Sequence, residues 1–93
     1  MTTPHRKWTF LTNHGHILVY VHRNPHARVQ DIADAVGITY RAAQTILADL
    51  EKGGYLEKTK IGRRNTYDVN VSGQFRHPEE AGRRIGDLLS LFE

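Results

Sequence analysis

Arg41 and Gln44 stand three residues apart, and Arg63 and Arg64 are adjacent. The first spacing belongs to one face of a helix. Its side chains are of the types that read base edges. A guanidinium donates two parallel bonds to guanine O6 and N7, and a carboxamide pairs with adenine N6 and N7. Tyr40 and Thr45 flank them with hydroxyls suited to phosphate oxygens, and with surface that can touch a thymine methyl. Arg63 and Arg64, with Lys58 and Lys60, supply cations that neutralise phosphates. Arginine is also drawn to the negative potential of a narrow minor groove. An edge hairpin carries such charges as well to block edge-to-edge pairing.

Other chemistry finds little footing. His14, His16, His22 and His26 cluster in sequence. On a helix, however, His14 and His22 fall about 80° apart and His16 lies off their face. His26 follows Pro25 in a loop, and there is no cysteine, so no metal site is expected. No phosphate-cradling glycine loop, nucleophile elbow or metalloprotease motif occurs. Neither an enzyme nor a cofactor is expected.

The elements that must hold these side chains follow from periodicity. Val29–Val36 predicts a short helix with Ile32, Ala33 and Val36 inward. Gly37 stops it in the left-handed region, and Ala33 is small enough to let the next helix approach. Thr39 caps a helix over Tyr40–Lys52, with Ala43, Ile46, Leu47 and Leu50 as its apolar stripe. That stripe turns Tyr40, Arg41, Gln44, Thr45 and Ala48 outward. Two helices joined by a tight turn present the second to a major groove.

After Gly53-Gly54 the period becomes two. Strands are predicted over Tyr55–Lys60 and Thr66–Val71, with Tyr67, Val69 and Val71 inward. Residues 61–65 form the turn, with Gly62 and Asn65 able to take positive φ. Before these elements lies a dense apolar run, Ile17 to Val21. Thr12 or Asn13 can cap a helix there, from about Asn13 to His22. Gly15 and three β-branched residues weaken it, and a strand is the alternative. Trp8 and Phe10 are expected to pack onto the domain. A last helix is expected from Pro78 to the chain end, with Ala81, Ile85, Leu88, Leu89 and Phe92 on one stripe.

The chain has 93 residues, 39% hydrophobic and 25% charged, with a net charge of +3. Residues 57–76 carry five cations against two anions, which equals that whole excess and suits a polyanion. A chain this short buries only about 60–65% of its unfolded surface, so self-association would help it. No apolar run nears the roughly 20 residues of a membrane span, and residues 1–7 form a polar arm without a signal-peptide core. A cytoplasmic protein is expected.

The stretch Gly37-Ile38-Thr39-Tyr40-Arg41-Ala42-Ala43-Gln44, then Asp49-Leu50-Glu51-Lys52-Gly53-Gly54-Tyr55-Leu56, then Gly62-Arg63-Arg64-Asn65-Thr66-Tyr67, resembles winged helix-turn-helix transcriptional regulators of the MarR/ArsR type. The resemblance covers about residues 8–92. It implies an α+β fold, a three-helix core with a β-hairpin wing plus a C-terminal helix. It further implies a homodimer on double-stranded DNA, with Thr39, Tyr40, Arg41, Gln44 and Thr45 at the recognition helix and Arg63 and Arg64 on the wing. Residues 8–76 would be the DNA-binding domain and 77–93 the dimerising helix. The chain lacks the extra long helices of full-length MarR proteins and the cysteines of many ArsR sensors. An adaptor for other proteins is the alternative function, since fold does not dictate function.

Overall fold

Thr12 opens the first helix: its hydroxyl accepts from the Gly15 amide at 3.3 Å, and α1 runs Asn13–Arg23. The computed structural model describes residues 8–93, so the expected arm over residues 1–7 lies outside the described residues. The run that propensity left open between helix and strand is helical. Burial decides it, because only a helix puts Ile17, Leu18 and Val21 together on the core. The Gly15 position is close-packed too, since an added Cβ would lie 3.2 Å from the Leu11 Cβ.

The next two helices match the expected bounds. α2 spans Val29–Val36 and α3 spans Tyr40–Lys52. Gly37 between them sits at φ 87°, and its amide closes α2 on the Ala33 carbonyl at 2.8 Å. Thr39 caps α3 by accepting from the Ala42 amide at 3.0 Å. Ile32 and Ala33 of α2 meet Ala43, Ile46, Leu47 and Leu50 of α3 in one core. Each large aliphatic side chain buried there contributes about 1.5–3 kcal/mol.

The hairpin is shifted from its expected place. β1 runs Leu56–Ile61 and β2 runs Arg64–Val69, paired antiparallel from Leu56 opposite Val69 to Ile61 opposite Arg64. Only Gly62 and Arg63 remain as the turn. Gly62 has φ 63°, and no non-glycine among the described residues has positive φ. A positive φ at the first of two turn residues matches the right-handed twist of the strands. Asn65 is therefore a ladder residue opposite Lys60, not a turn residue. Val71 lies beyond β2 and is exposed: the Asn70 amide still pairs in register with the Tyr55 carbonyl at 2.9 Å, and the chain then turns, with the Gly73 amide donating to the Asn70 carbonyl at 3.0 Å. β1 packs against α3 and β2 against α1. Leu56 and Tyr67, on the inward face near the base, are buried, whereas Lys58 and Lys60 continue the Leu56 face past the edge of the helices and are exposed.

The expected last helix is broken in two. Pro78–Glu80 form a single 3-10 turn, capped by His77 Nδ1, which accepts from the Glu79 amide at 3.1 Å. α4 spans only Ile85–Ser90. Between them the backbone is spent on another partner: Phe75 N–H donates to Arg83 O at 3.2 Å, and Ile85 N–H donates to Gly73 O at 2.7 Å. Ile85 and Leu89 then fold into the same core as α1 to α3. Trp8 and Phe10 pack edge-to-face on each other at 5.2 Å and not onto the domain; Phe10 is 93% exposed.

Candidate nucleic-acid interface

The outward face of α3 is set by its buried stripe. With Ala43, Ile46, Leu47 and Leu50 inward, Arg41, Thr45 and Ala48 form the strip directly opposite, and all three are exposed. Gln44 lies beside the strip and Tyr40 at its flank, both exposed. Among the described residues no side-chain hydrogen bond or ion pair engages the Arg41 guanidinium or the Gln44 carboxamide. Both are free to meet a ligand.

The threonines divide their work. The Thr39 hydroxyl accepts from the Ala42 amide and keeps its own proton to donate. The Thr45 hydroxyl donates to the Arg41 carbonyl at 3.1 Å, so that proton is occupied within the helix. What Thr45 offers outward is lone pairs and a methyl group, which fits a thymine methyl better than a phosphate oxygen.

At the far end of the face Asp49 is drawn aside, its Oδ2 lying 2.9 Å from His14 Nε2 of α1. The other histidine–carboxylate contact, His22 with Glu93 at 3.2 Å, is remote from α3 in sequence and joins α1 to the chain end. These two histidine–carboxylate contacts are the full set of such approaches among the described residues, so no lysine or arginine there has a carboxylate oxygen within 4.0 Å.

The wing does not present its four cations alike. Arg63 is exposed at the turn, and Lys58 and Lys60 are exposed along β1. Arg64 lies within β2, where its Nη2 donates to the His26 carbonyl at 3.2 Å. It is thereby held against the α1–α2 loop and is not at the tip. The same loop is tied to β2 by Tyr67 N–H donating to Pro25 O at 3.0 Å and by His26 Nδ1 at 3.3 Å from Thr66 Oγ1. These contacts bring Arg28, which precedes α2, to the wing; its type and the loop position were visible in the sequence, but its neighbours were not. Tyr67 beneath the wing is 4% exposed. Burial pushes its phenol above the usual 10.0, and the negative charge of Glu51 adds to that, against an opposing hydrogen bond with Asn65.

A helix-turn-helix with an adjoining two-stranded wing defines a winged helix protein. A model of the MarR family matches residues 9–63, and the chain belongs to that family. No curated protein sequence matches it. Among solved structures it is similar to MepR, a transcription regulator of the Staphylococcus aureus multidrug efflux pump MepA, with a TM-score of 0.60 and 24% identity. The match covers 87% of this chain and 53% of MepR, so the chain spans about half the length of that relative. At this identity the likeness is one of fold. No helix among the described residues is long and apolar enough to cross a membrane.

Proposed function

We propose that this MarR-family chain is a DNA-binding transcriptional regulator that performs no catalysis and reads double-stranded DNA with α3. The observation that carries the reading is the free, uncompensated outward face of α3. Among the described residues Arg41 and Gln44 have no side-chain hydrogen-bond or ionic partner, Ala48 leaves room for close approach, and Asp49 is turned toward His14. In this reading Arg41 and Gln44 contact base edges, Tyr40 and Thr39 position the helix on the backbone, and Thr45 offers its methyl. Lys58 and Lys60 neutralise phosphates, and Arg63 reaches the minor groove or backbone from the turn.

We further propose that residues 8–76 form the reading unit and that two copies act together, joined through the chain ends. Leu91 and Phe92 follow α4, and Phe92 and Phe10 border a groove of about 560 Å³ with Val19, Tyr20 and Val36. The reading places the protein in the cytoplasm with the chromosome. An adaptor role would suit an apolar or acidic α3 face, and this one is neither.

Selection from a random duplex pool across a salt series tests the proposal. An enriched palindrome, with half-sites about one helical turn apart and affinity falling steeply with salt, is expected. Absence of binding even at low salt would remove the DNA reading.

A further inference from the structure

Beside β2 lies a hollow of about 180 Å³ lined by His26, Arg28, Arg63, Arg64, Asn65 and Tyr67. Ala27 and Val29 complete the lining, and three of the eight residues are arginines, drawn from two segments more than thirty residues apart in sequence. Among the described residues none of the three has a carboxylate oxygen within 4.0 Å. The nearest acid in sequence, Asp31, accepts from the Arg28 backbone amide at 3.2 Å and so serves the cap of α2. Like charges gathered without a counter-charge repel, and an anion relieves the repulsion. The site is also held in shape. Arg64 is fixed on the His26 carbonyl by one Nη2 donor, which leaves the rest of its fork free. Tyr67 N–H on Pro25 and Thr66 on His26 tie strand to loop on either side. The volume is several times the ~30 Å³ share of one water, which is room for a phosphate group.

We infer that Arg28 and Arg64 form a clamp for one phosphate of the DNA backbone, built where the α1–α2 loop meets the wing. The inference rests on the DNA-binding reading and deepens it. It gives Arg28 a role and moves Arg64 from groove reading to backbone holding. Arg63 is left as the residue that extends beyond the clamp. Because the loop is bonded to β2, a phosphate held there sets where the wing lies relative to α3. The clamp carries register and no sequence information.

The test is fluorescence anisotropy on a selected duplex and on a random duplex, over 50–300 mM salt, for wild type, Arg28→Ala, Arg64→Ala and the double variant. Each phosphate neutralised contributes about 0.9 to the slope of log affinity against log salt, which is about eightfold in affinity at 0.1 M. Arg28→Ala leaves every backbone bond named above in place and is expected to lower the slope and weaken both duplexes by the same factor. The double variant is expected to lose about 0.9 in total, because both side chains serve one phosphate. An unchanged slope in Arg28→Ala, with wild type still binding, overturns the clamp and leaves the DNA reading standing. A loss of about 1.8 in the double variant overturns the shared phosphate in favour of two separate contacts. Inorganic phosphate titrated at constant ionic strength, followed by the amide shifts of residues 26–28 and 63–65, separates the sources. Saturation that duplex does not displace would assign the hollow to a free anion and overturn its assignment to DNA. Failure of every protein, wild type included, to bind duplex would remove both readings together.

Discussion

Replacing Arg41 by alanine separates base reading from everything else the residue does. The side chain is exposed at the N-terminal end of the α3 outer strip and has no hydrogen-bond or ionic partner among the described residues. Its removal breaks no hydrogen bond or ion pair among the described residues, and alanine is the better helix former. Stability should therefore change by no more than about 0.5 kcal/mol. On DNA, a bidentate arginine–guanine pair discriminates by about 1–3 kcal/mol, which is about 5- to 150-fold in Kd. Random duplex keeps only the charge contribution of Arg41 and should lose less. The assay is anisotropy on the selected and random duplexes at one salt concentration, with a thermal melt by circular dichroism in parallel. A selective loss on the preferred duplex, relaxed at one base pair and with an unchanged melt, is the expected result. Equal losses on both duplexes would refute base reading by Arg41. A melting shift of several degrees would refute the claim that the side chain is unpartnered.

Gly37→Ala tests the turn: a Cβ there meets nothing within 4 Å, so the cost is that of holding φ 87°. It should be about 1–2 kcal/mol, a fall in Tm of about 5–15 °C for a domain this small, and a fall under about 2 °C would contradict it. Tyr67 makes stability fall in alkali. Below pH 10.0 both states keep the phenol proton, whereas above it the unfolded chain releases a proton that the fold retains, so stability drops as pH rises toward the raised folded value. Urea midpoints from pH 8 to 11 should decline less steeply in Tyr67→Phe than in wild type, and parallel curves would contradict the assignment. Phe92→Ser should weaken self-association through the chain ends, read by light scattering as a shift toward the 10.6 kDa monomer mass. An unchanged dimer mass would place the interface elsewhere.

The bounds of α2 and α3, the left-handed turn at Gly37 and the outward set on α3 were all legible in the sequence. Each depends on interactions within a few residues: a 3.6-residue apolar stripe, a threonine cap and a glycine stop. Those local signals are strong because the helix makes its own hydrogen bonds, and only the direction of burial is left to the core. The base-reading candidates follow from that one stripe.

Long-range pairing decided the rest. α1 is helical because three β-branched or branched side chains reach the core together, against a weak local preference. The last helix is cut short because residues 73–75 take up backbone groups of residues 83–85, and neither segment advertises the other. The hairpin register moved Asn65 out of the turn and Arg64 into the strand, since a two-residue turn at Gly62 and Arg63 returns Ile61 to the first strand and Arg64 and Asn65 to the second, all of which a turn over residues 61–65 leaves unpaired. The meeting of Arg28 with Arg64 was beyond any local pattern. Composition and periodicity say which residues carry charge and which face they share. Only the closure of the α1–α2 loop onto β2 brings distant cations around one hollow, because loop closure joins residues whose spacing along the chain carries no period at all.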